Sequence, residues 1–152
     1  MQRRPNARRV VVAVAATCSI VLAIVVGSAW AGSSAATADT EIDVTLGKPK
    51  EYSLKLSASA GKAGEVALAV RNRGKITHEF ILLKTPIKAA KLKPRAEEPT
   101  KVVEPGFVLE LEDIAAKERA TVELPLKKGH YVLLCNIEGH YAGGMRADLT
   151  LK

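Results

Sequence analysis

Short apolar or β-branched segments, separated by turn-forming residues, recur along this chain and constrain its fold more than any other feature. Segments of this length, many alternating between apolar and polar residues, are typical of β-strands. Turn signals such as Gly61-Lys62-Ala63-Gly64 and Glu104-Pro105-Gly106 separate them at intervals suited to a sandwich or barrel. We therefore predict an all-β domain, a Greek-key β-sandwich of two antiparallel sheets. The predicted strands are 41–46, 52–57, 65–70, 78–83, 107–111, 121–126, 131–135 and 147–151.

Residues 86–105 interrupt this rhythm. Prolines stand at both ends of the segment, and the charged run Arg95-Ala96-Glu97-Glu98 lies between them. The segment also holds Ala89-Ala90-Lys91-Leu92. We predict that it is a long excursion with one helical turn. The proline and charge content argues against a second domain, so the chain is expected to form a single domain after its N-terminal segment.

The first 31 residues have the pattern of a targeting segment. Four arginines precede an uncharged apolar run, and small residues resembling signal-peptidase sites follow it. The run is also long enough to span a membrane, which takes about 20 apolar residues. We predict that residues 1–31 are a signal peptide or an N-terminal membrane anchor, that 32–40 are a small-residue tether, and that 41–152 form the domain. Positive charge before the run places that domain in the periplasm or on the outer face of the cytoplasmic membrane.

Charge excludes one class of function. The formal net charge is +7, but the four leader arginines carry more than half of it, so the predicted domain is only weakly basic. Its lysines are scattered along the predicted strands and form no basic stripe of the kind that binds nucleic acid. We predict no nucleic-acid partner, and we expect a monomer.

Cys135, His140 and Met145 stand at five-residue steps near the end of the chain. Sulfur donors hold Cu(I), imidazole suits both copper oxidation states, and two His, one Cys and a weak axial Met form a blue copper centre. His78 is the candidate for the second histidine. Each residue has a simpler interpretation, as an inert buried cysteine, a core histidine at 78, a surface histidine at 140 or a core methionine. His130 lies outside the motif, and we expect it to be a surface turn residue.

Zinc sites and enzymes fit this pattern less well. A structural zinc ion is held by four Cys or His ligands, and only three good zinc ligands are present in the motif. Cys135 has no motif-level base of its own, because shared ligation explains its nearness to His140 better than nucleophilic catalysis does. A copper enzyme with a second, substrate-binding copper cluster would need further histidines, and only His130 is left over. We therefore predict that the protein is not an enzyme.

Three segments together resemble the plastocyanin and azurin family of cupredoxins, over about residues 41–152. They are Asn72-Arg73-Gly74-Lys75-Ile76-Thr77-His78-Glu79-Phe80, Gly129-His130-Tyr131-Val132-Leu133-Leu134-Cys135, and the loop from Gly139-His140 to Met145. The resemblance implies a cupredoxin-like fold and one type 1 copper ion. It also implies that His78, Cys135, His140 and Met145 are the ligands.

The function implied by the resemblance is electron transfer outside the cytoplasm, one electron at a time, by Cu(II)/Cu(I) cycling. The exchange edge would be at His140, where a cytochrome, oxidase or reductase would dock transiently. The alternative is a protein that binds, stores or delivers copper without redox turnover.

Three neighbours of the predicted ligands are expected to tune the site. Glu79 stands where family members often have Asn, and Asn136 follows Cys135 where Ser or Thr is usual. A carboxylate at Glu79 is expected to alter hydrogen bonding to the thiolate or to lower the reduction potential. Asn72 resembles an asparagine that ties the strand of the first histidine to the ligand loop.

Overall fold

The computed structural model describes residues 38–152, so the predictions for the leader and for most of the tether lie outside the described residues. Within this range, no helix is long and apolar enough to cross a bilayer. The strands are β1 (Thr40–Leu46), β2 (Leu54–Leu56), β3 (Ala60–Gly61), β4 (Gly64–Asn72), β5 (His78–Lys84), β6 (Phe107–Ile114), β7 (Arg119–Leu126), β8 (Gly129–Leu134) and β9 (Arg146–Leu151). A 3-10 helix spans Ala89–Lys91, and the short helix α1 spans His140–Gly143.

The strands form two sheets, with the orders β2-β1-β4-β7 and β3-β9-β8-β5-β6. The predicted all-β, two-sheet sandwich is confirmed. The sheets are mixed, however, because β1 pairs with β4 and β3 pairs with β9 in parallel. The two-residue strand β3 was also not predicted, since Ala60 and Gly61 carry no β-branched or large apolar side chain. Its parallel partner β9 lies at the far end of the chain.

The main core lies between the sheets. Ile42, Val44 and Leu46 alternate with more exposed residues along β1 and are fully buried. This alternation is typical of a strand with one face on the core and one face toward solvent. Strand β5 differs, since its whole run Phe80–Leu83 is buried. Each fully buried Leu or Ile of this kind contributes about 1.5–3 kcal/mol of burial free energy.

A second apolar cluster explains why β5 is buried on both faces. Ile81 and Leu83 of β5, with Val132 and Leu134 of β8, face away from the main core. The segment 86–105 covers them. It contributes Ala89, Leu92 and Val102, and Tyr141 of α1 completes the cluster. The predicted excursion with one helical turn is confirmed, and its function in the fold is to close the outer face of the second sheet.

His130 is not the surface turn residue that the sequence suggested. It lies within β8, and its ring nitrogens contact the Thr85 carbonyl oxygen at 2.6 Å and Asp148 Oδ1 at 2.7 Å. Asp148 Oδ1 also accepts a hydrogen bond from the Ala89 N–H at 2.9 Å. His130 and Asp148 therefore tie the start of the excursion to strands β8 and β9.

Candidate metal centre

Two imidazoles and a thiol converge at one end of the sandwich. The Nδ1 atoms of His78 and His140 lie 3.2 Å apart, and Cys135 Sγ lies 3.3 Å from His140 Nδ1. One ligand atom from each of the three side chains lies within 4.8 Å of the other two. Metal bonds of about 2.0–2.1 Å to imidazole and 2.3 Å to thiolate, as in zinc sites, sum to more than the two shorter separations. One ion can therefore contact all three groups.

Strand pairing brings His78 and Cys135 together. His78 is the first residue of β5, and Cys135 follows the last residue of β8. The two strands pair in antiparallel fashion with Ile81 opposite Leu134, so the start of one lies beside the end of the other. Both side chains are fully buried. Two central strands of one sheet thus fix the relative positions of an imidazole and a thiol that are far apart in sequence.

The loop after Cys135 returns to the same point. Gly139 has a φ of +77° and precedes α1, which begins at His140. Glycine adopts this left-handed conformation without a Cβ clash. The Met145 N–H donates to the His140 carbonyl oxygen, and the Cys135 N–H donates to the Met145 carbonyl oxygen, both at 3.1 Å. These two bonds close the loop, so the backbone of Met145 lies directly beside Cys135, and its side chain is fully buried.

The two residues that follow His78 and Cys135 are linked to each other. The Glu79 N–H donates to Cys135 Sγ at 3.4 Å, and the Glu79 carboxylate accepts the Asn136 N–H at 2.5 Å. Asn136 Oδ1 accepts the Val102 N–H at 2.8 Å, and Asn136 Nδ2 donates to the Val102 carbonyl oxygen at 2.9 Å. The donor to the sulfur is thus a backbone N–H. The Glu79 side chain links strand β5 to the residue after the thiol, and the Asn136 side chain ties that residue to the excursion.

Asn72 does not have the contacts that the sequence suggested. It is fully buried, and its Nδ2 donates to the carbonyl oxygens of Ile76 at 2.8 Å and Ile114 at 2.9 Å. Its Oδ1 accepts the Gly74 N–H at 2.8 Å. Asn72 therefore organises the turn that leads into His78, and these bonds do not reach the ligand loop.

Two residues of the β1–β2 connection contact the histidines, and sequence reasoning missed both. Glu51 Oε1 lies 3.2 Å from His78 Nε2. The ring centroid of Tyr52 lies 5.0 Å from that of His140, with the planes tilted by 53°. Tyr52 had been predicted to begin a strand, but β2 starts only at Leu54. No motif spacing relates residues 51 and 52 to the histidines, because the fold alone brings them together.

Burial sets the charge state of the site. Burial is the largest cause that lowers the pKa of His78, although the Glu51 carboxylate opposes it, and burial likewise lowers the pKa of His140. Burial raises the pKa of the Cys135 thiol to about 11. Near neutral pH the site therefore holds two neutral imidazoles and one protonated thiol. A metal ion that binds the sulfur as thiolate must displace its proton.

The sandwich has the cupredoxin fold. Auracyanin from the photosynthetic bacterium Roseiflexus castenholzii superimposes with a TM-score of 0.54 at 17% identity, covering 76% of this chain and 98% of that chain. Rusticyanin from Thiobacillus ferrooxidans gives 0.56 at 16% identity, covering 76% and 79%. A reduced rusticyanin gives 0.60 at 18% identity, covering 76% and 81%. No protein-family model and no curated protein sequence matches the chain.

Proposed function

We propose that this protein is a type 1 copper protein that carries single electrons outside the cytoplasm, with His78, Cys135, His140 and Met145 as the copper ligands. The observation that carries this proposal is the convergence of two imidazole Nδ1 atoms and one cysteine sulfur at the end of a cupredoxin-type sandwich. When bound, copper supplies the one-electron chemistry by alternating between Cu(II) and Cu(I).

Donor chemistry favours copper over zinc at this site. Rusticyanin, one of the matched structures, is a copper protein. Two imidazoles and a thiolate with a methionine thioether nearby form the donor set of blue copper sites, whereas a thioether is a poor zinc ligand. A closed zinc site would take a fourth Cys or His. Within residues 38–152, the only cluster of three or more His, Cys, Asp or Glu side chains that could hold a metal ion consists of His78, Cys135 and His140.

The protein's own residues keep the donor atoms in place. Cys135 and His78 stand on neighbouring strands of one sheet, and the Cys135-to-Met145 backbone bond closes the loop that holds His140. Within the described range, every buried side-chain nitrogen or oxygen has a hydrogen-bond partner. A rigid donor set suits electron transfer, because the coordination then changes little between the two oxidation states.

We propose that electrons enter and leave on the His140 side. His140 itself is only 6% exposed, while Tyr52, which lies against it, is 46% exposed, and Ala142 beside it is exposed as well. Neither of these exposed side chains carries a charge. A transient redox partner that docks there would bury less than about 1,200 Å², which permits fast release.

The proposed location and state of the protein rest on the sequence pattern of residues 1–31, which lie outside the described residues. We propose export to the periplasm or the outer face of the cytoplasmic membrane, with membrane attachment if the leader is retained. The protein is proposed to act as a monomeric carrier and not as an enzyme.

Storage or delivery of copper without redox turnover is the competing function. A delivery protein must release its ion to a partner, which favours exposed and exchangeable ligands. Here His78, Cys135 and Met145 are fully buried and His140 is nearly so. This burial favours electron transfer.

An absorption spectrum of the purified protein, loaded with Cu(II) and then reduced, tests the proposal. We expect a strong thiolate-to-copper band at about 600 nm that disappears on reduction and returns on reoxidation. A protein that binds copper tightly but shows no such band, or bleaches irreversibly, would instead be a copper-handling protein.

A further inference from the structure

A carboxylate from the β1–β2 connection lies against the outer edge of the His78 ring. Glu51 Oε1 is 3.2 Å from His78 Nε2, on the opposite side of the ring from the Nδ1 atom that faces His140. The same oxygen accepts the Lys75 N–H at 2.8 Å and the Ile76 N–H at 3.4 Å. Glu51 therefore contacts both the turn before β5 and its first side chain.

These contacts determine which ring nitrogen of His78 carries a proton. An ionised carboxylate can only accept hydrogen bonds. The Glu51 carboxyl group is partly exposed and accepts backbone N–H bonds from Lys75 and Ile76, and bonds of this kind favour the ionised carboxylate. The bond to His78 is then formed only if Nε2 carries the hydrogen. In a neutral imidazole this leaves Nδ1 without a proton and free to bind a metal.

The surrounding backbone leaves little room for another arrangement. A Cβ added at Gly74 would lie 2.0 Å from Glu51 Oε1 and 2.9 Å from His78 Nε2. A Cβ added at Gly47 would lie 3.1 Å from the same nitrogen. The two glycines allow the backbone to approach the ring edge, so carboxylate and imidazole are held together in one closely packed contact.

We propose that Glu51 is a positioning residue that holds His78 in the Nε2–H tautomer and increases the electron-donating strength of Nδ1. Metal-bound histidines commonly donate their other N–H to an outer partner, and loss of that partner typically weakens metal binding about 10–100-fold. The inference rests on the proposed function only in taking His78 as a ligand. It adds a residue 27 positions upstream that the ligand motif does not contain.

A purely structural role for Glu51 makes a different prediction. If Glu51 only capped the turn through the N–H groups of Lys75 and Ile76, its loss would loosen the turn and lower stability. It would not select between the two neutral tautomers of His78. The tautomer is therefore the decisive observable, and it can be measured without any metal.

The first experiment is long-range ¹H–¹⁵N NMR of the His78 ring in the metal-free protein at mildly alkaline pH. We expect the His78 ring of the unmodified protein to be in the Nε2–H form. Glu51→Ala should give a mixture of both tautomers, because the ring loses its acceptor. Glu51→Gln should retain the Nε2–H form. The Lys75 N–H needs an acceptor at this position, so the new amide group should present its oxygen, and not its NH₂, to the His78 ring.

The second experiment measures affinity for Cu(II) and Zn(II) by chelator competition, and the copper reduction potential by redox titration. Glu51→Ala should bind both ions about 10–100-fold more weakly. Glu51→Gln should bind them nearly normally. It should show a higher reduction potential, because it removes a negative charge beside the ligand that favours Cu(II).

Glu118→Gln is the matched control, since Glu118 also accepts a backbone N–H, from Ala115 at 2.8 Å, and is exposed. It should change neither quantity.

The outcomes separate this inference from the proposed function. An Nδ1–H tautomer in the natural protein overturns the inference, as does a Glu51→Ala variant with unchanged tautomer and metal affinity. An equal rise in potential in Glu118→Gln would reduce the effect to general charge and overturn it as well. If Glu51→Ala does not fold, the His78 tautomer in the unmodified protein and in Glu51→Gln still tests the inference. A protein that shows the expected tautomer but binds no copper would contradict only the proposed function.

Discussion

The two histidines of the candidate metal centre lie side by side but are held in different ways. His78 is fully buried on the first residue of a central strand, and its second ring nitrogen contacts a carboxylate. His140 is on a four-residue helix, and an exposed tyrosine ring lies against it. A hydrogen bond fixes both the orientation and the tautomer of a ring, whereas an aromatic contact restricts its orientation more loosely.

This difference assigns the two sides of the centre to different tasks. The His78 side is fixed by the sheet, by Asn72 and by Glu51. The His140 side is covered by groups that are themselves exposed, such as Tyr52 and Ala142. We expect changes on the His78 side to affect metal binding and stability, and changes on the His140 side to affect exchange with partners.

The largest effect should come from a change at Cys135, whose Sγ lies 3.3 Å from His140 Nδ1 and within 4.8 Å of a ring nitrogen of His78. Cys135→Ser removes the sulfur that would give the thiolate-to-copper transition, so the band at about 600 nm should be lost completely. The variant should still fold, because it keeps the residue's size within a closed loop. An absorption spectrum of the copper-loaded variant, with circular dichroism to verify folding, makes the measurement.

His130→Gln serves as the control for this experiment. His130 has hydrogen-bond contacts to Thr85 and Asp148, but it does not belong to the candidate metal-binding cluster. Its replacement should keep the blue colour. A coloured Cys135→Ser protein would refute the assignment of the sulfur ligand.

A change of pH should give the next largest effect on copper affinity. It also tests whether the two histidines carry the same charge. Burial lowers the pKa of both imidazoles and raises the pKa of the Cys135 thiol to about 11. Above about pH 7, copper binding should therefore release one proton, from the thiol. Since the thiol stays protonated until the pH approaches its raised pKa, affinity should increase about tenfold per pH unit between about pH 7 and 9.

Chelator competition at several pH values measures this slope. A slope near two protons would show that one histidine remains charged, and the two imidazoles would then not be alike in charge. A slope near zero would mean that the thiol is already ionised in the metal-free protein, contrary to its burial.

A pair of glycine substitutions tests the two sides separately. Gly74→Ala would place a Cβ 2.0 Å from Glu51 Oε1, next to His78, and Gly143→Ala would place one 2.7 Å from Tyr52 Cβ, next to His140. Overpacking typically costs about 1–3 kcal/mol. We expect both variants to lose stability within this range, since Tyr52 Cβ adjoins the backbone and cannot move aside freely. Only Gly74→Ala should weaken copper binding markedly, because it displaces the Glu51 carboxylate from the His78 ring.

Denaturant unfolding and copper competition on both variants measure the difference. Equal losses of copper affinity in the two variants would remove the distinction between a fixed and a loosely held side. A larger loss of copper affinity in Gly143→Ala would reverse it.

The contrast between the two sides also shows what the sequence could predict. The alternation of Ile42, Val44 and Leu46 was enough to predict β1, and scarce residue types at family positions were enough to nominate the four proposed ligands. The parallel pairing of β1 with β4 leaves no mark on that alternation. Glu51 and Tyr52 were missed because a glutamate and a tyrosine in a polar turn are ordinary residues. Their importance arises only when the sandwich brings that turn against the histidines.

The smallest effect on the centre itself should come from Ala142→Glu, which adds a charge to the exposed surface beside His140. The blue band should be unchanged, because Ala142 is not among the proposed ligands. Electron self-exchange between reduced and oxidised copies, measured by NMR line broadening, should slow by up to about tenfold, because two like charges would meet when the His140 sides approach. Added salt should restore part of the rate by screening these charges.

Ala58→Glu is the matched control. Ala58 is exposed and adjoins Ser59, whose carbonyl oxygen accepts the Thr150 N–H at the other end of β9. If both variants slow exchange equally, the exchange surface is not at His140, and if Ala142→Glu loses its colour, the surface and the metal centre are not separable.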